Sequence, residues 1–132
     1  MSDNTRLLRA LRLNAIFSAS SALMMLLAGP WVAAQLGLTS VMPVYVTAAL
    51  LAVFALQLGN IVRTRKIHDL EIVGIIFADI AWVVGSVVLG ALFYSSLTAT
   101  GLVLVDVAAI VVLYLAIQQI RGLKAIRRGA MA

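Results

Sequence analysis

The sequence predicts an all-α membrane protein, a bundle of four transmembrane helices made of two antiparallel helical hairpins with both termini in the cytoplasm. Three observations carry this expectation. Of 132 residues, 64% are hydrophobic and 11% charged, against roughly 25% charged in an ordinary soluble domain, so there are too few polar side chains to cover a water-facing surface. The charges crowd into three short stretches, and the apolar segments between them each approach the 20 or so residues that a helix needs to cross roughly 30 Å of hydrocarbon. All ten Lys and Arg residues lie in the N-terminal segment, the second connection or the C-terminal tail, and the positive-inside rule assigns those segments to the cytoplasmic face. Residues 1–132 then form a single transmembrane domain.

The chain opens with Ser2-Asp3-Asn4-Thr5, which offers caps for a helix N-terminus. Arg6, Arg9 and Arg12 follow at intervals of three, so that residues 5–12 form a basic amphipathic lead-in at the headgroups. A first span is expected over about 13–32, with Trp31 behind Gly29-Pro30 near its far end, where an indole suits the interface. Val32-Ala33-Ala34 before Gln35 imitates a signal-peptide cleavage site, but the apolar stretch is long for a signal sequence. The second span, about 44–62, is introduced by Thr39 or Ser40 as a cap and by Pro43, which a helix tolerates in its first turn. It closes on Arg63, Arg65 and Lys66.

The third span, about 72–93, starts behind His68-Asp69-Leu70-Glu71, whose carboxylates complement the helix dipole. The fourth, about 102–120, takes Thr98 or Thr100 as its cap and runs into a tail carrying Arg121, Lys124, Arg127 and Arg128. Leu123 and Ile126 give residues 121–129 an apolar side suited to lying on the membrane surface. The first and third connections are short and uncharged, which pairs the first span with the second and the third with the fourth.

Several kinds of chemistry are excluded or disfavoured. Cysteine is absent, which removes disulfides, thiolate nucleophiles and Cys-ligated metals. The net charge of +5 sits beside hydrophobic spans and in no independent polar domain, so no nucleic-acid partner is expected. The chain has no glycine-rich phosphate loop, HExxH or GxSxG motif, so neither an enzyme nor a cofactor is expected. His68 with Asp69 and Glu71 suits cap and loop chemistry better than a metal site. There is no arginine ladder for voltage sensing and no selectivity-filter sequence.

Two acids fall inside spans, Asp79 in the third and Asp106 in the fourth, and an ionisable residue at membrane depth is by default a candidate site. At 1.5 Å per residue Asp79 lies roughly 13 Å and Asp106 roughly 20 Å from the cytoplasmic surface, so a pair sharing one proton requires the helices to shift. Asn14 and Ser18 share a stripe on the first span, Gln57 and Asn60 on the second, and Asp79, Trp82 and Ser86 on the third. Stripes that face one another would enclose a polar cavity open to the cytoplasm, lined by Asn14, Gln57, Asn60 and Asp79. The alternative, which is favoured, is that these groups simply hydrogen-bond across helices. Trp82 is unusual near mid-membrane, where its indole N–H needs an acceptor. On the second span Ala48, Ala52, Ala55 and Gly59 form a small-residue face suited to close helix approach and to association with another chain.

The runs Leu13-Asn14-Ala15-Ile16-Phe17-Ser18, Asp79-Ile80-Ala81-Trp82-Val83-Val84-Gly85-Ser86 and Gln118-Gln119-Ile120-Arg121-Gly122-Leu123 together resemble short four-helix inner-membrane proteins of bacteria, a group with no assigned activity. The resemblance covers most of the chain. It implies the architecture and an inner-membrane location, and it transfers no catalytic residue. The expected function is that of a non-enzymatic membrane protein, a homo-oligomer or an accessory subunit of a membrane complex, with the lipid bilayer and another membrane protein as partners. The alternatives are a small proton- or cation-linked transporter using Asp79 and Asp106, and a binder of lipid or another apolar ligand between the hairpins.

Overall fold

The computed structural model describes residues 2–131, with side chains for residues 4–129. The chain forms α1 (Ser2–Leu27), α2 (Gly29–Gln35), α3 (Met42–Thr64), α4 (Asp69–Leu92) and α5 (Ala99–Met131). Every one of these except the short α2 is long and apolar enough to cross a membrane.

No glycine or proline interrupts residues 2–27, so the basic lead-in and the first span are one continuous helix. Asn4 and Thr5 therefore lie within α1 instead of before it, while the side chains of Ser2 and Asp3 lie outside the described residues. The first span is shorter than expected because Pro30 brings no N–H and its ring would meet the carbonyl of Leu26, four residues back. The chain bends at Ala28 (φ −121°, ψ 29°) and resumes as α2. That short helix ends in a Schellman turn, in which the Gly37 N–H bonds the Ala34 carbonyl at 3.1 Å and the Leu38 N–H bonds the Ala33 carbonyl at 2.9 Å. Gly37 supplies the left-handed residue (φ 70°) and packs so closely on the Ser96 backbone that a side chain would collide with it.

Local sequence explains the remaining boundaries. Ser40 Oγ accepts the N–H of Met42 at 3.1 Å, Pro43 occupies the first turn of α3, and Arg65 ends that helix in the left-handed region at φ 59°. Helix α4 begins with Asp69 itself, so both Asp69 and Glu71 stand in the first turn. Thr98 caps α5: its Oγ1 accepts the Gly101 N–H at 3.0 Å and donates to Gln35 at 2.9 Å, tying the end of α2 to the start of α5.

The 33 residues of α5 span about 50 Å, well beyond the roughly 30 Å of hydrocarbon. The basic tail is thus the straight continuation of the fourth span. Leu123 is buried and Ile126 packs on the core cluster, so the apolar side of the tail faces the bundle and not the membrane surface as expected.

Helix α1 occupies the middle of the bundle, packed between α3 and α5, and α4 leans on α5. Among the described residues the backbones of α3 and α4 do not approach closely, so the backbones follow the order α3–α1–α5–α4 as an open arc that core side chains fill. The main core joins all four long helices through Leu7, Leu11, Leu58, Ile61, Ile72, Ile75, Ile76 and Leu123. It gathers the N-terminal segment, the connection after α3 and the C-terminal tail at one end, where all ten Lys and Arg residues are exposed. An ion pair of Arg127 with Asp69, 2.6 Å long and solvent-exposed, adds little there. Val32, Ala33 and Val44 form a smaller core at the far end.

Helices α1 and α5 approach closely at Gly122, where a Cβ would fall 2.9 Å from the Leu7 Cα. Replacing Gly122 with Leu is expected to force these helices apart at a cost of about 1–3 kcal/mol. Gly74→Ala, where a Cβ meets nothing within 4 Å, is expected to stabilise α4 by up to about 1 kcal/mol. Thermal unfolding of both variants in detergent checks the pair, and equal melting points would contradict the packing.

Candidate functional site

Three helices each deliver one polar side chain to a common point. Asn14 of α1, Asp79 of α4 and Gln119 of α5 are 1%, 4% and 0% exposed. Each stands on the buried stripe of its own helix: Leu7, Leu11, Asn14 and Ser18 on α1, Ile72, Ile75 and Asp79 on α4, and Val112, Leu115, Gln119 and Leu123 on α5. The apolar spacing that makes these helices pack therefore also brings the three polar groups together.

The result is a closed ring. Asn14 Nδ2 donates to Asp79 Oδ2 at 2.8 Å and to Gln119 Oε1 at 2.9 Å, using both of its hydrogens. Gln119 Nε2 donates to the same Asp79 Oδ2 at 2.8 Å. Ser18 Oγ donates to Asn14 Oδ1 at 3.3 Å, orienting the amide from one turn away. Asp79 Oδ1 makes no hydrogen bond to a described residue.

Asn14 follows Arg12 by two residues and Gln119 precedes Arg121 by two, which places the ring within about one turn of the basic end. Leu11, Ile75 and Leu123 lie one turn closer to that end and belong to the main core. An apolar layer thus stands between the ring and the water at the basic end.

The other candidate residues lie elsewhere. Gln57 and Asn60 are exposed, and Asn60 Oδ1 accepts from Arg63 Nη2 at 3.3 Å. Helix α3 turns Ala48, Leu58 and Ile61 inward, which carries Gln57 and Asn60 away from Asp79, so the four-residue cavity open to the cytoplasm does not form. Gln119 takes the place those residues were expected to fill. Ser86 donates to the Trp82 carbonyl at 2.8 Å within α4. Trp82 Nε1 is buried without a hydrogen-bond partner among the described residues, although Asp79 is one turn away.

Asp106 is exposed and makes no hydrogen bond to a described residue. Thirteen residues separate it from Gln119, about 20 Å along α5, so the two acids form no pair. The small-residue face of α3 meets α1 within the chain. Ala48 is fully buried, and Ala52 and Ala55 face Ala15, Ala19 and Ala22 across an apolar groove of about 490 Å³. Gly59 is half-buried, with open space beyond its α-carbon.

Asp79→Ala strands two buried amide donors and is expected to cost about 1–3 kcal/mol, while Asp79→Asn retains an acceptor and costs less. A double-mutant cycle of Asn14→Ala and Asp79→Ala is expected to show a coupling of about 0.5–3 kcal/mol. Strict additivity in unfolding measurements would contradict the ring.

No family model matches the chain, and comparison with curated proteins and with solved structures finds no match.

Proposed function

We propose that this chain is a non-enzymatic, multi-pass protein of a bacterial inner membrane that acts by association, as a homo-oligomer or as an accessory subunit of a membrane complex. In this proposal the ten exposed cations face the cytoplasm, placing both termini there, and α1 with α3 and α4 with α5 form the two antiparallel hairpins.

Asp106 carries the proposal. It is an acid within a candidate span, on an outward face it shares with Val103 and Ile110, which are 59% and 67% exposed. Against lipid, an aspartate at the helix centre costs about 2.5–3.5 kcal/mol on insertion scales. No described residue of the chain supplies it with a donor, and a neighbouring protein would. The α1–α3 groove offers a further close-packing surface for the same association, with Ala52 and Ala55 on its wall.

A second proposal rests on Asp79 Oδ1. One oxygen of this carboxyl accepts no hydrogen bond from a described residue, which suits a proton or cation site of a small transporter. The apolar layer at Leu11, Ile75 and Leu123 weighs against a path from the basic end, so association is the leading proposal. Asp79→Asn distinguishes the two: it is expected to leave assembly and any associated process intact, and loss of proton-coupled flux with an unchanged fold would favour transport.

Extracted in native lipid nanodiscs, the protein is expected to run as an assembly heavier than the 14.0 kDa chain. Asp106→Leu is expected to weaken that assembly about 3- to 20-fold, the equivalent of one interhelical hydrogen bond. A 14.0 kDa species that gains stability on the same substitution would place Asp106 against lipid and overturn the proposal.

A further inference from the structure

The seam between α1 and α5 opens at the basic end into a small hollow of about 170 Å³. Arg6, Arg9, Tyr114 and Gln118 form its polar lining, over a floor that includes Ala10 and Leu115. Both floor residues are buried, so the hollow has a fixed apolar base and a rim of long polar side chains.

The rim has one chemical character. Arg6, Arg9, Tyr114 and Gln118 are all able to donate hydrogen bonds, and none of them bonds or pairs with a described residue. No carboxylate of a described residue lines the hollow. Asp69 is engaged with Arg127 at the start of α4, and Asp79 is enclosed in its ring. Four donors from two helices, two of them guanidinium groups one turn apart, suit a phosphate group, which arginine binds in bidentate fashion.

The depth order selects the source of that phosphate. Leu7 packs against Gly122 and Asn14 bonds Gln119, so Gln118 is nearly level with Leu13. Arg6 and Arg9 then lie one to two turns nearer the basic end, and Tyr114 one turn deeper. The charged part of the hollow therefore lies at headgroup height. Below Tyr114, α5 presents the exposed Ile110 and Val107 at the next two turns, an apolar track in line with an acyl chain. Basic pockets between helices on the cytoplasmic side are the usual seats of anionic headgroups.

We infer that the α1–α5 hollow binds the phosphodiester of an anionic glycerophospholipid, held by Arg6, Arg9, Gln118 and Tyr114, with an acyl chain running past Ile110. The phosphate-binding part of the site, ending at Tyr114, stands about two turns from Asp106, and only the acyl track shares a residue, Ile110, with the association face. It splits the arginine series of α1: Arg6 and Arg9 line the hollow and Arg12 does not.

Native mass spectrometry of the full-length protein, released from nanodiscs of phosphatidylglycerol and phosphatidylcholine in equal amounts, tests the site. The wild type is expected to retain phosphatidylglycerol preferentially, because the choline cation would face the guanidinium groups of Arg6 and Arg9. Arg6→Ala and Arg9→Ala are each expected to lower that retention about fivefold. Tyr114→Phe with Gln118→Ala changes no charge and is also expected to lower it. Arg127→Ala with Arg128→Ala, outside the hollow, is expected to leave it unchanged, with helix content by circular dichroism equal in all variants. Equal loss in the Arg127/Arg128 control, or no loss in the Tyr114/Gln118 variant, would reduce the effect to a diffuse basic collar and overturn the site. Displacement of the lipid by millimolar inorganic phosphate would show a free-anion site and overturn the lipid assignment.

Discussion

The hydrogen-bonded ring of Asn14, Asp79 and Gln119 is the constraint on which the bundle's arrangement depends, because apolar packing alone does not fix α4. The backbone of that helix approaches α5, and its Ile72, Ile75 and Ile76 enter the main core, but such packing alone would allow it to rotate or slide along apolar neighbours in a solvent that is equally apolar. Asp79 removes that freedom. Its carboxylate oxygen is met by amides from both α1 and α5, so the rotation and the height of α4 are set together, and Ser18 fixes the amide that does it. Ile72 and Ile75 then fall into the main core as a consequence of the same register.

The main core lies on the basic side of this ring, and its position explains why the two ends of the molecule differ. Toward the basic end all four long helices contribute to one cluster. Toward the far end α2, the Schellman turn at Gly37 and the Thr98–Gln35 bonds do the joining, with a core of only Val32, Ala33 and Val44. Pro30 creates α2, and α2 gives α5 a fixed starting point. A backbone break in one span thus anchors the start of another.

The four apolar helices were legible in the sequence because hydrophobic length and charge clustering are properties of each segment alone. Thr98 as a cap was legible for the same reason. The partners of Asp79 were not. Gln119 stands two residues from Arg121, at the end of the fourth span, and was given no place in the site, although Val112, Leu115, Ala116 and Leu123 mark it as a buried position of α5. Gln57 and Asn60 read as its counterparts because they share a stripe, but α3 carries two distinct stripes and periodicity does not say which one meets α1. That choice belongs to packing: α1 offers alanines at positions 15, 19 and 22, and the small face of α3 fits them. The break at Ala28 was carried by Pro30 in plain view, yet a span of ordinary length conceals it.

Asp79 and Asp106 have the same side chain within the same apolar setting, and their surroundings give them opposite roles. Asp79 is saturated at one oxygen by donors that its own chain provides, so its polarity acts inward and specifies a fold. Asp106 faces outward among Val103 and Ile110 with no donor from the described residues, so its polarity is left unmet by the packing of the bundle. Water at the far end does not readily serve, because Asp106 lies about 10 Å along the helix from Ala99 and an aspartate side chain is too short to reach out of the hydrocarbon as lysine or arginine do. A neighbouring helix with a hydroxyl, an amide or a cation at that depth would satisfy it. A carboxylate that no described residue of its own chain meets is the reason that association is proposed ahead of transport.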